Sequence, residues 1–213
     1  MSLTLHMHPL SSYCHKVLIA LYELDIPFEA AFLNLADPDA RAAFMALWPV
    51  GKMPVLEDKA AGLVLPETSI IIDYLNRRFG GGLIPDDAGA ALDVRLQDRF
   101  FDLYVHTPMG QITWDKLRPE GARDPFGVKQ AEGQLALAYD MIEKRMEGRT
   151  WACGDAFSLA DCAAAPALFY ADGRVPIGDS RPRTRAYLER LKARPSYARA
   201  LKESEPYFHL VPQ

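Results

Sequence analysis

The amino-acid sequence predicts an α/β unit followed by an all-α helical bundle. Strand and helix signals alternate through residues 1–80, whereas from residue 92 onward the apolar residues recur only at helical spacing. Three consecutive glycines at positions 80–82, with a proline soon after, separate the two patterns and form the clearest chain-breaking cluster in the sequence. We therefore expect two domains, residues 1–80 and 92–213, joined by a linker over residues 81–91.

The first eighty residues carry the signals of a small mixed sheet covered by helices. Leu3, Leu5 and Met7 alternate with polar residues, as in a half-buried strand, and from about Ser12 the apolar spacing becomes helical. The predicted strands are residues 3–7, 28–33, 54–57 and 63–65, and the predicted helices begin near residues 12, 38 and 67. The resulting order, β-α-β, then α, then β-β-α, is typical of helices packed on a small sheet.

The second half of the chain carries helical signals throughout. Two apolar stripes have spacings of three and four. They consist of Leu92, Leu96, Phe100 and Leu103, and of Val128, Ala131, Leu135, Ala138 and Ile142. Ser158 and Asp161 have the spacing of a capping box, in which each side chain pairs with a backbone amide at the start of a helix. A further predicted helix contains Leu188 and Leu191 and ends at Pro195.

Composition and charge exclude several classes of function. The 213 residues include 24 basic and 28 acidic side chains, a net charge of −4, so there is no basic excess for binding nucleic acid or an anionic membrane. Three cysteines cannot form a disulfide framework, which favours a reducing compartment. The N-terminus lacks a signal-peptide pattern, and the longest uncharged apolar stretch, between Asp161 and Asp172, is too short to span a membrane. We expect a cytoplasmic protein.

Three segments are candidates for chemistry, and the first is the junction of the first strand and the first helix. A helix start offers free backbone amides and a partial positive charge to an anion, and Ser11 lies where its hydroxyl can donate to that anion. Cys14 follows one turn later. The alternatives are that Ser11 only caps the helix and that Cys14 is a buried packing residue.

The second and third segments are Met53-Pro54 and Glu67-Thr68. A cis bond before Pro54 would let the backbone of Met53 pair with an extended peptide ligand, whereas a trans proline would only close a loop. Glu67 suits a ligand ammonium group and Thr68 suits a ligand carboxylate, although both residues could simply support the helix start. An extended peptide with a thiol, a free amine and a free carboxylate would satisfy all three segments.

In their order and spacing these segments resemble the serine-type members of the cytosolic glutathione transferase superfamily, over essentially the whole chain. The resemblance is carried by residues 11–21, 47–56, 66–72, 158–161 and 194–197. It implies a thioredoxin-like N-terminal domain that holds glutathione, a helical C-terminal domain that shapes the pocket for the second substrate, and a homodimer. Trp48 departs from the family pattern, which has asparagine before Pro49, and Thr68 replaces the commoner serine.

The resemblance also implies a role for each matching residue. Ser11 falls on the catalytic serine and on the first cysteine position of thioredoxin-like CxxC motifs. The residues implied for glutathione are Met53 and Pro54 for the cysteinyl part, Glu67 and Thr68 for the γ-glutamyl group, and Lys52 for the glycyl carboxylate. Tyr104, His106 and Trp114 lie in the region that lines the family's second-substrate pocket, although aromatic residues at helical spacing more often pack in a core. No metal site is expected, because His6 and His8 lack a third ligand nearby.

We therefore expect a glutathione transferase that acts on a small hydrophobic electrophile. A thiol with a pKa of about 8.5 is only about 3% ionised at pH 7, and one charge-assisted hydrogen bond from Ser11 supplies most of a two-unit reduction in that pKa. Two enzymatic alternatives are an isomerase similar to maleylacetoacetate isomerase and a thiol transferase that forms a mixed disulfide through Cys14. The non-enzymatic alternative is a scaffold of the same fold.

Overall fold

The computed structural model describes residues 2–34 and 36–211, so Leu35 and the outermost residues of the two predicted domains, Met1, Pro212 and Gln213, lie outside the described part. The N-terminal elements are β1 (Leu3–Met7), α1 (Ser12–Glu23), β2 (Glu29–Phe32), α2 (Pro38–Leu47), β3 (Val55–Asp58), β4 (Leu63–Leu65) and α3 (Thr68–Arg78). The elements that follow are α4 (Ala88–Phe100), a π-helical turn (Phe101–His106), α5 (Thr107–Lys116), α6 (Pro125–Arg145), α7 (Leu159–Asp172), α8 (Pro182–Ala193) and α9 (Pro195–Ser204), with 3-10 turns at Glu120–Ala122 and Glu205–Leu210. The predicted fold class is confirmed.

The four strands form one mixed sheet in the order β2-β1-β3-β4. β1 pairs parallel to β2, and the pairs β1–β3 and β3–β4 are antiparallel. Leu5 at the centre of β1 lies opposite Ala30 on one side and Leu56 on the other, and both leucines are fully buried. Pro54 was expected inside the third strand, but that strand begins at Val55, since proline has no amide hydrogen for the ladder.

Helix α7 lies at the centre of the helical part. Residues 159–168 within it are all buried, and residues 162–168 belong to the longest uncharged apolar stretch of the sequence. The capping box at its start is confirmed, and Asp161 also accepts hydrogen bonds from the amide of Ala152 at 2.8 Å and the hydroxyl of Tyr187 at 2.6 Å. Helices α1 and α4 and the π-helical turn all pack on α7, which therefore joins the sheet to the helical part.

One continuous helical path runs from α4 through the π-helical turn into α5. Pro108, near the start of α5, has no amide hydrogen, and its ring crowds the carbonyl four residues earlier. The backbone widens in the turn before it, where the amide and the hydroxyl of Thr107 both donate to the carbonyl of Asp102. Wide turns of this kind occur most often at functional sites.

The leucine stripe predicted along α4 marks the helix but not its buried face. Leu92 and Leu96 are 69% and 60% exposed, whereas Val94 and Asp98 are buried. Within the described part of the chain, no helix is long and apolar enough to cross a membrane.

Candidate active site

A cleft with about 590 Å³ of free space opens between the sheet part of the chain and the helical path of α4. The lining residues are Tyr13, Trp48, Lys52, Met53, Pro54, Glu67, Thr68, Arg99, Asp102 and Leu103. The fold thus brings together all five residues that the sequence analysis assigns to glutathione binding.

The peptide bond between Met53 and Pro54 is cis, as the resemblance implies. Pro54 is buried directly before β3, and Met53 packs against two apolar clusters, a large one that the sheet and the helices share and a smaller one in the sheet part. Trp48, the departure from the family pattern, follows α2 and also packs on the smaller cluster around Phe44 and Val55. Trp48 therefore joins this small core to the wall of the cleft.

The start of α3 presents Glu67 and Thr68 to the cleft. Glu67 is the N-cap residue, with φ +68° and ψ 112°, a backbone conformation that residues other than glycine rarely adopt. Its side chain makes no capping hydrogen bond, although capping is the usual reason for a polar residue at this position. The first amides of α3 have no partner within their own helix, so this helix start is suited to an anion.

Ser11 lies at the N-cap of α1, next to the cleft wall. Its Oγ accepts a hydrogen bond from the amide of Cys14 at 3.3 Å, so the capping role weighed in the sequence analysis is present. Because the hydroxyl accepts in this contact, its own proton stays available for donation. Tyr13, rather than Ser11, is the residue of this turn that lines the cleft.

The cysteines are in environments that suppress thiolate formation. Cys14 is fully buried, and burial raises the pKa of its thiol to about 12 in spite of hydrogen bonds with Ser11 and the backbone of His8. Cys162 is also fully buried, and burial raises the pKa of the Cys153 thiol to about 11. A reactive cysteine needs the opposite conditions, exposure and a lowered pKa.

A buried ion cluster lies behind the cleft wall. The Nζ atom of Lys16, which is fully buried, lies 2.6 Å from Asp98 Oδ1 and 2.8 Å from Asp102 Oδ2. It also donates to Ser69 Oγ at 3.1 Å, and the Ser69 hydroxyl donates to Asp98 at 2.6 Å. Arg99 donates to Asp102 at 2.9 Å from the cleft side. The cluster therefore ties α1 and α3 to α4 and the π-helical turn, with two positive and two negative charges.

His106 contacts the first turn of α1. Its Nε2 atom hydrogen-bonds to the hydroxyl of Ser12, and its ring is stacked on that of Tyr13, with centroids 3.9 Å apart and an interplanar angle of 10°. Burial, together with the charge of Lys16, lowers the pKa of His106 to about 3, so the imidazole is neutral at physiological pH. His106 was expected at the second-substrate pocket; it lies instead behind Tyr13, outside the cleft lining.

The structure does not bring Tyr104 and Trp114 to the cleft either. Both are exposed, Tyr104 by 59% and Trp114 by 68%, and neither lines the cavity. The helical path turns Asp102 and Leu103 toward the cleft instead.

Five lining residues were missed by the sequence analysis as ligand-contacting groups: Tyr13, Trp48, Arg99, Asp102 and Leu103. A signal for one of them, Asp102, exists in the sequence, since Lys16 interrupts an otherwise apolar helix face and requires buried anions somewhere in the fold. Among residues 2–34 and 36–211 there is no cluster of histidine, cysteine or acidic side chains arranged to hold a metal ion.

Comparison with known families gives two matches along the chain. The family model described as glutathione S-transferase, N-terminal domain, matches residues 10–78, and the one described as glutathione S-transferase, C-terminal domain, matches residues 105–195. Together the two matches cover more than half of the chain.

Curated relatives and solved structures agree with these matches. Glutathione S-transferase F7 of Arabidopsis thaliana is 29% identical over 208 residues, covering 91% of this chain and 96% of that protein. A glutathione S-transferase from Methylobacillus flagellatus, solved with glutathione bound, superposes with a TM-score of 0.84 at 27% identity, covering 93% of this chain and 98% of that one. A glutathione transferase from Burkholderia graminis, solved with two glutathione molecules per subunit, also has a TM-score of 0.84 at 27% identity, over 97% and 89% of the two chains.

Proposed function

The chain belongs to the cytosolic glutathione transferase superfamily, and from this premise we propose that it ionises the thiol of bound glutathione beside Ser11 and presents the thiolate to a small hydrophobic electrophile. Glutathione is the co-substrate. One observation carries the proposal: Lys52, Met53, Pro54, Glu67 and Thr68 form one wall of a single cleft beside the N-terminal turn of α1.

The charges along the cleft match those of the tripeptide. Glu67 would hold the γ-glutamyl ammonium group, and Thr68 with the first amides of α3 would hold the adjacent carboxylate. Lys52, an exposed side chain at the cleft, would pair with the glycyl carboxylate. Arg99 is a second cation in the lining, and it is already oriented by its hydrogen bond to Asp102.

The thiolate would be stabilised by hydrogen bonding and by the dipole of α1. Lowering a thiol pKa from about 8.5 to about 6.5 requires about 2.8 kcal/mol, since each pKa unit corresponds to about 1.4 kcal/mol. A hydrogen bond from the Ser11 hydroxyl to the sulfur anion contributes roughly 1.5–3 kcal/mol, and the start of α1 adds roughly 0.3–1 kcal/mol. These contributions are sufficient without a general base.

Replacing Ser11 with alanine tests this role directly. We expect Ser11→Ala to raise the pKa of the bound thiol by roughly one to two units and to reduce kcat/KM for conjugation by about three- to twentyfold at pH 7, as the thiolate fraction falls. The thiolate is followed by its ultraviolet absorbance as a function of pH at saturating glutathione. An unchanged thiol pKa would remove Ser11 from the mechanism.

Two control variants separate the expected effect from other causes. Asp124→Ala removes the N-cap of α6, which accepts from the amide of Gly127 at 2.8 Å, and should lower stability without changing conjugation. Cys14→Ala tests the mixed-disulfide alternative, which the burial and raised pKa of that thiol disfavour. We expect Cys14→Ala to keep its conjugation rate.

The isomerase-like alternative uses the same thiolate and remains open, so it needs a separate substrate test. A cis-to-trans isomerisation assay with a maleyl compound measures it directly. The non-enzymatic scaffold is disfavoured by membership in a family of transferases. The cytoplasmic location stays a prediction from the sequence.

We also propose that the protein acts as a homodimer through an apolar surface on α3 and α4. Ile70 on α3 and Leu92 and Leu96 on α4 are 57–69% exposed. The two helices are adjacent, because Arg95 Nη2 donates to Asp73 at 2.8 Å. Several exposed large apolar residues on neighbouring helices are typical of a protein interface.

A further inference from the structure

Two contacts join the first turns of α1 to the π-helical turn. Ser12 pairs with His106, and Lys16, four residues later on α1, pairs with Asp102, four residues earlier on the other element. Because residues four apart lie on the same face of a helix, the two contacts act as parallel ties between antiparallel segments. Neither Ser12 nor His106 is among the residues that the family resemblance assigns to glutathione binding.

A histidine at position 106 destabilises the fold more than an apolar residue of the same size would. It is fully enclosed, its charged form is strongly disfavoured, and its Nδ1 atom has no hydrogen-bond partner among the described residues. A buried polar atom without a partner destabilises a fold, and phenylalanine could fill the same space and stack on Tyr13 without that cost. Residues that destabilise the fold locally are expected where they contribute to a functional site.

The hydrogen bond and the ring stack of His106 are both made with residues next to Ser11. Ser12 and Tyr13 directly follow Ser11, and Tyr13 lines the cleft on its other face. Whichever ring nitrogen carries the proton, the Ser12 hydroxyl can act as donor or acceptor, so the contact does not depend on the tautomer. A shift of this turn would displace the Ser11 hydroxyl and the free amides together.

We propose that His106 is a positioning residue: by holding Ser12 and Tyr13, it fixes the first turn of α1 so that the Ser11 hydroxyl and the helix-start amides face the sulfur of bound glutathione. This inference rests on the proposed function. It concerns orientation only, since His106 is screened from the cleft by Tyr13 and has no access to the thiol proton.

The test removes the Ser12–His106 contact from each side. His106→Phe keeps a ring against Tyr13 but cannot hydrogen-bond, and Ser12→Ala removes the same bond while leaving His106 in place. In each variant we expect the pKa of the bound thiol to rise by about one unit and kcat/KM at pH 7 to fall by about threefold, as the thiolate fraction does. The KM for glutathione should change by less than about twofold, because the cleft residues that bind the tripeptide are untouched.

A double variant and a matched control distinguish positioning from general loss of stability. Ser12→Ala combined with His106→Phe should lose no more activity than either single variant, because all three lack one and the same contact. Val105→Ala creates a cavity in the same turn and should destabilise the protein while leaving the thiol pKa unchanged.

Several results would overturn the proposal. One is a thiol pKa in His106→Phe that matches the wild-type protein and Val105→Ala, and another is a double variant whose loss equals the sum of the single losses. If His106→Phe does not fold, Ser12→Ala decides, since Ser12 is only half-buried; an unchanged thiol pKa there refutes the proposal. Failure of the proposed function has a different signature: the wild-type protein would not lower the thiol pKa, or Ser11→Ala would leave it unchanged.

Discussion

The buried ion cluster behind the cleft leads to a quantitative prediction for Lys16→Met. Lys16 is fully buried and lies within 2.8 Å of carboxylate oxygens of both Asp98 and Asp102. Methionine would leave the two carboxylates with Arg99 as their remaining cation near Asp102. Removing one partner of a buried ion pair destabilises a protein by about 3–5 kcal/mol. We therefore expect the free energy of unfolding at pH 7 to fall by about that amount, a large part of a typical total of about 5–15 kcal/mol.

The pH dependence of this loss tests its electrostatic origin. Burial raises the pKa of Asp102, and the charge of Lys16 opposes that rise, so the variant should have a still higher Asp102 pKa. A carboxyl group whose pKa is raised in the folded state destabilises the fold at high pH, where the group is charged. This destabilisation is lost as the pH falls and the carboxyl group binds a proton. The difference between wild-type protein and Lys16→Met should therefore shrink between pH 7 and pH 5.

Urea unfolding followed by circular dichroism at both pH values measures the two quantities. The matched control is Lys192→Met, which removes an exposed lysine paired with Glu189 at 3.0 Å and should change stability by less than about 0.5 kcal/mol. A loss below about 1 kcal/mol for Lys16→Met at pH 7, or a loss that is the same at pH 5, would refute this reasoning.

Three further predictions concern backbone strain, histidine burial and assembly. Glu67→Gly should raise the free energy of unfolding by up to about 1 kcal/mol, because glycine accepts a φ of +68°, and should weaken glutathione binding by about tenfold in calorimetry; unchanged binding would remove Glu67 from the site. Burial lowers the pKa of His15 to about 4 and that of His106 to about 3. Below about pH 6.5 these histidines bind protons in the unfolded chain but stay neutral in the folded chain, so the free energy of unfolding should fall as the pH is lowered. Between pH 7 and pH 4.5, His106→Gln should therefore lose roughly 2–3 kcal/mol less of this free energy than the wild-type protein. Leu96→Arg should give a monomer in sedimentation experiments, whereas exposed Leu137→Arg on α6 should not alter assembly.

Local sequence patterns were sufficient for most of the elements. The alternation in β1 and the spacing along α1 depend only on which residues are apolar, and both elements form where they were predicted. The capping box of Ser158 and Asp161 is similarly local, since its two members are three residues apart. Short motifs also located lining residues of the cleft, because Met53-Pro54 and Glu67-Thr68, which were identified from a short segment each, all line it.

Predictions about packing partners were less successful. The leucines of α4 form a regular stripe, yet they face outward, and the buried face of the helix includes Asp98. An acidic residue is accepted there because Lys16, more than eighty residues earlier in the chain, neutralises it. Tyr104 and Trp114 do not line the cleft, whereas Asp102 and Leu103 in the widened turn before Pro108 do.

The sequence alone determined the kinds of elements, their order and the short motifs that line the cleft, since each of these follows from residues within a few positions of one another. Only the tertiary structure decided which helical face is buried, which anions surround Lys16, and that His106 supports the first turn of α1. Those features depend on pairings between distant segments, whose free energies are set by burial and charge in three dimensions and leave no periodic trace along the chain.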